Sequence, residues 1–335
     1  PLYMMKQFIF LLLIAFALMG CKAFKPSANL SHFNGYFALS VNDSMVENGR
    51  LKVTFFGTST LLFDDGVSQI IVDGFFSRPK TGKVAFGKIR SNEKVIRAMI
   101  AKYQLHRLKA IFVCHSHYDH ALDAPLLSQL TGAKLYGSSS TLNLGKGGKL
   151  SESTMQLYES GKPLGVGSFT VTVLNSKHTP PFKIFGKSNA TDPAHPNIDQ
   201  PLSQPAKAND FIEGGTFDFY ITYGSQRFLV KASTNYIEGA LQAYPCDVLF
   251  LGSAMLGIQP ADFQQKYYNE TVIATNAKTV VPIHWDNFMK PLGQPLIPLP
   301  NISDNVEAGF NFLITKTKAE NRRLLLLQSE SSVLF

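Results

Sequence analysis

Cysteine is scarce in this chain, which has only three among 335 residues. Cys21, Cys114 and Cys246 lie far apart, and three thiols cannot supply the ligands of a four-cysteine zinc site. Cys114 and Cys246 each adjoin an apolar run typical of a strand, in the segments AIFVC and CDVLFL. We therefore expect two buried thiols and no disulfide framework.

Runs of basic residues are also absent, although the formal net charge is +8. The lysines and arginines are scattered, and no nucleic-acid-binding motif accompanies them. We expect a modest attraction to anionic surfaces such as membrane lipid, and no nucleic-acid partner. A hydrophobic fraction of 45% and a charged fraction of 17% exclude a disordered chain and predict a globular protein with a sizeable core.

An unbroken apolar run occupies residues 8–19, which is too short for a bilayer-spanning helix of about 20 apolar residues. The run follows the cation of Lys6 and is typical of a secretory signal peptide over residues 1–20. Its end, LMGC, resembles a bacterial lipobox, in which Cys21 would be lipidated. We predict a membrane-anchored lipoprotein of the bacterial cell envelope, facing the periplasm or the cell surface. An ordinary signal peptide with an incidental cysteine is the alternative.

Polar, irregular sequence over residues 21–48 is expected to form a tether and an N-terminal extension. Strand-like and helix-like segments then alternate through residues 49–335, which we predict to be one domain. SNEKVIRAMIAKYQL has helical spacing and a serine cap, and a second helix is predicted over residues 260–276. The strands predict two antiparallel sheets, packed together with helices outside them, and therefore a layered α/β fold.

One connection is too long for a simple loop. Residues 180–211 are rich in proline and asparagine and separate two groups of predicted strands. Long segments of this kind are usually functional walls or lids, or are disordered. We keep both interpretations open.

The segment IFVCHSHYDHALD places several metal-ligand side chains at the end of a predicted strand. His115 and His117 are two residues apart, so both side chains point to the same side, and Asp119 and His120 follow as the next helix begins. Unpaired, such a cluster would be costly to bury. Imidazoles and a carboxylate gathered at one point are the ligands that a divalent transition metal such as zinc requires.

The pattern HxHxDH resembles the signature of the metallo-β-lactamase superfamily, and the resemblance covers nearly all of residues 51–327. It implies an αββα sandwich with a metal centre at one edge of the two sheets. It also implies two metal sites, whose ligands are His115, His117 and His178 for the first and Asp119, His120 and His284 for the second.

The same resemblance gives roles to residues at the ends of other strands. His178 closes a strand in LNSKHTPP, and His284 closes another in TVVPIHW. Asp73, in SQIIVDGFF, matches an aspartate that orients the histidine loop without binding metal. We expect the histidines that match no family position to be structural or surface residues: His32, His106 and His195.

One position departs from the family. Most members with two metals place a bridging aspartate where Ser233 stands in FLVKASTNY. Asp218 lies too early and Glu238 too late to replace it. A neutral hydroxyl compensates little charge, so two cations would repel each other more strongly. We expect one firmly bound metal and a weaker second site, with Zn²⁺ as the ion and Mn²⁺ or Fe²⁺ as alternatives.

The resemblance implies a hydrolase that uses a metal-activated water. Asp119 would orient that water or accept its proton, and Ser233 would hold water or donate to a developing oxyanion. The segments FFGTSTLLF and VVPIHWDNF are most similar to the branch that contains a lactonase and an N-acyl phosphatidylethanolamine phospholipase. We expect an ester, lactone or phosphodiester substrate that is small or lipid-like. The alternative is an envelope lipoprotein that binds metal, hydrolyses little or nothing, and serves as a binding module.

Overall fold

The computed structural model describes residues 22–41, 50–181 and 194–335, together with the backbone of two short strands between the last two ranges. Cys21 and the predicted signal peptide lie outside the described residues. Within the described ranges, no helix is long and apolar enough to cross a bilayer. Cys114 and Cys246 are free and buried, which confirms the prediction of two buried thiols.

The described chain forms sixteen strands and seven α-helices. The strands are β1 (Lys52–Phe55), β2 (Leu61–Asp64), β3 (Gln69–Val72), β4 (Leu108–Phe112), β5 (Lys134–Gly137), β6 (Met155–Leu157), β7 (Pro163–Val166), β8 (Phe169–Ser176), β9 (Lys183–Ile184), β10 (Lys187–Ser188), β11 (Thr216–Tyr223), β12 (Gln226–Lys231), β13 (Val248–Gly252), β14 (Thr279–Ile283), β15 (Arg323–Leu324) and β16 (Ser331–Leu334). The helices are α1 (Thr81–Phe86), α2 (Glu93–Lys102), α3 (Tyr118–Ala121), α4 (Ala124–Thr131), α5 (Ser139–Gly147), α6 (Ala261–Tyr268) and α7 (Val306–Ala319).

Two seven-stranded sheets dominate the described part of the chain. Their strand orders are β16-β1-β2-β3-β4-β5-β6 and β15-β14-β13-β12-β11-β8-β7. In the first sheet β16 to β3 pair antiparallel and β3 to β6 pair parallel. In the second sheet β7 to β12 pair antiparallel and β12 to β15 pair parallel.

The prediction of two antiparallel sheets is therefore wrong for one half of each sheet. Crossovers cause the difference, because a chain that passes through a helix before its next strand returns in the same direction. The crossover from β3 to β4 runs through α2, and the crossover from β4 to β5 runs through α4. The predicted layered α/β class is confirmed, since helices lie outside a packed pair of sheets.

Alternating side chains on the strands build the two cores. On β2, Leu61 and Phe63 point between the sheets, while Leu62 points to the helices outside the first sheet. The ring of Phe63 packs on Phe228 and Phe250 of the opposite sheet, with ring centroids 5.7 and 6.0 Å apart. Each such buried side chain stabilises the fold by about 1.5–3 kcal/mol.

The predicted helices are present with small differences at their ends. Helix α2 is capped by Asn92, whose side chain accepts from the backbone N–H of Val95, and not by the expected Ser91. The hydroxyl of Ser91 instead donates to the carbonyl of Leu122 at 2.9 Å. The helix expected over residues 260–276 is α6, which continues as a π-helical segment at Asn269–Ile273.

The described part of the expected tether and extension, residues 22–41, lies against the domain. A 3₁₀ helix at Leu30–Tyr36 buries Phe33, whose ring packs edge-on against Phe310 at 5.3 Å. Ser27 donates its hydroxyl to the carbonyl of Leu299 at 2.7 Å. These contacts fix this segment beside α7 and the C-terminal strands.

Candidate metal centre

The predicted site residues follow the carboxyl ends of strands in both sheets. Asp73 follows β3 and the histidine loop follows β4, in the first sheet. His178, Ser233 and His284 follow β8, β12 and β14, in the second. The two sheets pack face to face, so these strand ends bring the side chains together at one edge of the sandwich.

Three imidazoles form a first triad. Candidate ligand atoms of His115, His117 and His178 all lie within 4.8 Å of one another. The ring centroids are 4.8 Å apart in each of the three pairs, and the ring planes cross at 86°, 85° and 89°. Three imidazoles with candidate ligand nitrogens this close together suit a metal ion that binds nitrogen.

A second triad adjoins the first. The Oδ2 atom of Asp119 lies 3.5 Å from Nε2 of His120 and 3.4 Å from Nε2 of His284. The two Nε2 atoms are 3.1 Å apart. The rings of His115 and His120 have centroids 3.9 Å apart, so the two triads are in direct contact.

The donor atoms of both triads fit a transition metal. Among the described residues, the buried Nδ1 atoms of His115 and His284 have no hydrogen-bond partner. The other ring nitrogens at His120 and His178 are committed, since Nδ1 of His120 contacts Asp73 and Nδ1 of His178 contacts the carbonyl of Thr179. Five imidazoles and one carboxylate suit zinc and similar ions better than magnesium or calcium.

Burial keeps the first triad in its ligand form. It lowers the pKa of His115 well below the ordinary range and lowers the pKa of His117 to about 3. Both rings are therefore neutral, as a metal ligand must be. Burial alone would raise the pKa of Asp119, but His120 and His284 lower it below its ordinary value, so this carboxylate is ionised.

Asp73 lies behind the histidine loop. Its Oδ2 atom contacts Nδ1 of His120 at 2.8 Å and accepts a hydrogen bond from the hydroxyl of Ser59. Its Oδ1 atom accepts from the backbone N–H of Cys114 at 2.8 Å. Asp73 therefore orients His120 with Nε2 facing the second triad, which is how a carboxylate behind a ligating histidine acts.

Ser233 lines the same cavity as both triads and is 2% exposed. Asp218 does not bring a carboxylate to this position, because it forms a buried ion pair with Nζ of Lys231 at 2.9 Å. Glu238 is exposed and does not line the cavity. Neither carboxylate therefore takes the place of Ser233, whose side chain in the cavity is a neutral hydroxyl.

The triads form the floor of a cavity of about 560 Å³. Its wall is mostly apolar. The apolar members are Tyr118, Ala208, Phe211, Ile212, Ala254, Met255, Phe288 and Leu299, and the polar ones are Thr179, His195, Asn209, Ser233 and Ser303. Among the described residues that line it, none is lysine or arginine. The long connection supplies part of this wall, as one of its two interpretations predicted.

His195 is a cavity residue that the sequence interpretation missed. It is exposed, in agreement with the expected structural or surface residue, but it also lines the cavity wall. Its position in the long connection after His178 was the available signal. His32 and His106 do not line the cavity, and Nδ1 of His32 lies 3.2 Å from a carboxylate oxygen of Glu307 at the surface.

Known proteins resemble this chain in sequence. A family model described as the Beta-lactamase superfamily domain matches residues 69–285. A curated protein, the UPF0173 metal-dependent hydrolase of Myxococcus xanthus, is 30% identical over 111 residues. That match spans 33% of this chain and 34% of the relative, so it covers about a third of each protein.

Solved structures share the fold. The metallo-beta-lactamase fold protein YhfI from Bacillus subtilis has a TM-score of 0.52 at 16% identity, over 85% of this chain and all of that one. Igni18, a metallo hydrolase from Ignicoccus hospitalis, has a TM-score of 0.54 at 14% identity, over 85% and 98%. These likenesses confirm the predicted αββα sandwich. Because the family model matches well over half of its residues, the chain belongs to the beta-lactamase superfamily.

Proposed function

We propose that this protein is a metal-dependent hydrolase that cleaves an ester or lactone with an activated water molecule. The observation that carries the proposal is the pair of adjoining ligand triads at the floor of a cavity. Buried histidines and an ionised aspartate at such a place are what hydrolytic metal chemistry requires. The sequence relative that is named a metal-dependent hydrolase supports the same class.

The two triads would differ in their affinity for metal. The first triad has three neutral imidazoles, so it would hold one ion firmly. The second has Asp119 as its single anionic ligand and faces the neutral Ser233, so it would hold an ion more weakly. A divalent cation bound here, which we propose to be zinc, polarises a substrate carbonyl and lowers the pKa of water.

The chain's own residues would complete the reaction. Asp119 is ionised and can orient a water molecule or accept its proton. The hydroxyl of Ser233 lines the cavity and can donate to the oxygen on which negative charge develops. The apolar wall excludes water and positions the rest of the substrate.

The lining favours a neutral acyl substrate over a phosphodiester. Phe211, Ile212, Phe288 and Leu299 offer apolar contacts to an alkyl or aryl group. A phosphodiester is anionic and is usually held by arginine or lysine, neither of which occurs among the described lining residues. We therefore rank carboxylic esters and lactones, including lipid-like ones, above phosphodiesters.

Metal content and turnover test this function together. Wild-type protein should bind metal and hydrolyse a lactone or an apolar ester faster than a phosphodiester. The change His117→Ala should lower both metal content and hydrolysis. Loss of a residue that only supports a metal ligand usually costs roughly 10–100-fold, so loss of this ligand itself should lower activity by more. His106→Ala is the matched control, because this histidine lies outside the cavity.

Two outcomes would contradict the assignment. Full hydrolysis in the His117→Ala variant would show that the reaction occurs elsewhere. Wild-type protein that binds metal but cleaves no ester, lactone or phosphodiester would favour the alternative of a metal-binding module, which the loss of the bridging aspartate at Ser233 makes reasonable.

We also propose a location at the bacterial cell envelope through lipidated Cys21. The apolar run of residues 8–19 and the LMGC sequence support this proposal. Cys21→Ser should move the protein out of the membrane fraction after detergent-free washing, and should prevent incorporation of a labelled fatty acid. Unchanged labelling would show that Cys21 is not the lipidated residue.

A further inference from the structure

Helix α1 is exposed except at Val84. None of its residues is buried, and Val84 is its single partly buried contact with the core outside the first sheet. Phe86, at its end, is 94% exposed. A six-residue helix gains little stability by itself, and an aromatic side chain left in water forgoes a substantial hydrophobic contribution.

Cations surround Phe86. Lys80, Lys83, Lys88 and Arg90 are all exposed, and no aspartate or glutamate occurs between residues 78 and 92. Among the described residues, no carboxylate forms an ion pair with any of these four cations. The segment is therefore the basic, aromatic surface of a molecule whose other charges are scattered.

A cavity of about 700 Å³ adjoins this surface. Lys83, Arg90 and Lys94 line it, and its one acidic lining residue, Glu93, is paired with Arg97 at 2.7 Å. The cavity therefore carries a net positive charge and can accept the phosphate group of a lipid headgroup. Long lysine and arginine side chains also extend readily to an interface.

We propose that residues 80–94, which we call the basic surface, dock the protein on an anionic lipid membrane. Phe86 inserts at the boundary between headgroups and acyl chains, and the surrounding cations contact lipid phosphates. We infer an anionic membrane because its negative charge complements the unpaired cations of the basic surface. A single protruding aromatic side chain with unpaired cations offers little apolar area to a protein partner, but it suits the boundary of a bilayer.

A fluorescent probe at the tip of α1 tests the docking. In a full chain with Cys21→Ser, an environment-sensitive fluorophore is attached at Phe86→Cys, since Cys114 and Cys246 are buried. The matched control is Val67→Cys, which is 71% exposed in a turn beside Asp64 and Asp65. We expect a blue shift at position 86, and little at 67, with phosphatidylcholine vesicles that contain phosphatidylglycerol, and a much smaller shift without the anionic lipid.

Neutralising two cations measures the contribution of charge to vesicle binding, apart from the insertion of the side chain at position 86. With Lys83→Gln and Lys88→Gln, the vesicle concentration for half of the shift should rise about 25-fold, at about fivefold per lost cation. Thermal unfolding should remain unchanged, because these side chains are exposed.

Three outcomes would overturn the proposal. These are equal shifts at positions 86 and 67, a shift that ignores vesicle charge, and an equal shift with inorganic phosphate alone, which would indicate a small-anion site.

Discussion

We expect Ser233 to leave the second triad with less negative charge than an aspartate at the same position would. It lines the cavity where most two-metal relatives are expected to carry an aspartate, and neither Asp218 nor Glu238 takes that place. Two cations bound side by side repel each other, and an anionic ligand between them lowers that electrostatic cost. Metal stoichiometry is therefore the property that this one residue should change most.

The change Ser233→Asp should raise metal content from about one ion per chain toward about two, because an added carboxylate offsets cation repulsion. Elemental analysis after dialysis against a limiting zinc buffer measures the ratio. Ser303→Asp is the matched control, since Ser303 lines the same cavity from another element. An unchanged ratio in Ser233→Asp would show that this side chain does not reach the second triad.

The buried carboxyl of Asp304 should make the stability of the protein depend on pH. Burial raises the pKa of its carboxyl from 3.8 to about 6, while it accepts hydrogen bonds from the N–H groups of Met255 and Asn305. Between these pH values the folded state binds more protons than the unfolded state, so stability falls as pH rises from about 4 to about 6. The loss should be about 3 kcal/mol and constant above that range.

Urea unfolding of Asp304→Asn and wild-type protein at several pH values between 4 and 7 measures this contribution. Asparagine cannot ionise, so the variant should lack the part of the pH slope that Asp304 supplies, although it loses one of the two hydrogen bonds. Parallel slopes in the two proteins would show that the carboxyl titrates at its ordinary pKa.

At the scale of elements, a buried ion pair joins the segment after β3 to the loop after β14, and both partners also bind the loop after β1. Asp286 accepts from Arg78 at 2.8 Å and from the N–H of Thr58 at 2.6 Å, and Arg78 also donates to the carbonyl of Phe56. The carbonyl of Thr58 in turn accepts from the N–H of His284, whose φ is +61°. Through Thr58, the pair therefore helps to hold His284 in a backbone conformation that is uncommon for a residue other than glycine.

Close packing requires a glycine at position 57, in the loop after β1. Gly57 has a φ of +91°, and a Cβ atom there would lie 2.1 Å from a guanidinium nitrogen of Arg78. The ion pair and the glycine are thus one unit that positions a ligand of the second triad.

The change Asp286→Asn should lower the free energy of unfolding by about 3–5 kcal/mol, because Arg78 is then a buried charge without its partner. Metal content should fall as well, with the first triad retained. Asp247→Asn is the control, since Asp247 pairs with Arg227 and Lys278 where β13 begins, at the opposite end of that strand from the site. Equal metal loss in both variants would show a general effect of destabilisation.

At the scale of the whole molecule, the triads connect the two sheets. His115, His117 and His120 come from the first sheet, while His178 and His284 come from the second. A metal ion held by either triad therefore cross-links the sandwich at one edge. Its binding free energy adds to the stability of the folded state.

Removal of metal by a chelator should lower the melting temperature by on the order of 5 °C, if the ion is present at about 100 times its dissociation constant. Calorimetry before and after dialysis against a chelator measures this. The variant His117→Ala should respond much less. Equal shifts in both proteins would show that the chelator acts elsewhere.

Local patterns predicted the elements well and their pairing poorly. The helical spacing of SNEKVIRAMIAKYQL and the apolar strands are recovered as α2 and the sheets. Strand direction was missed although β13 and β14 are buried continuously, as parallel strands are, and not in alternation. A helix between two strands, as between β3 and β4, was the other signal of a parallel pair. Ser91 was missed as a donor because its partner, Leu122, is distant in the sequence.

The sequence alone determined that ligand-type side chains crowd together in HxHxDH soon after a strand, and that alternating apolar residues build the core. Only the tertiary structure decided that His178 and His284 meet the histidine loop, that His195 lines the cavity and that Phe86 remains exposed. Spacing along a strand is local geometry, whereas convergence of residues over a hundred positions apart depends on how the two sheets pack.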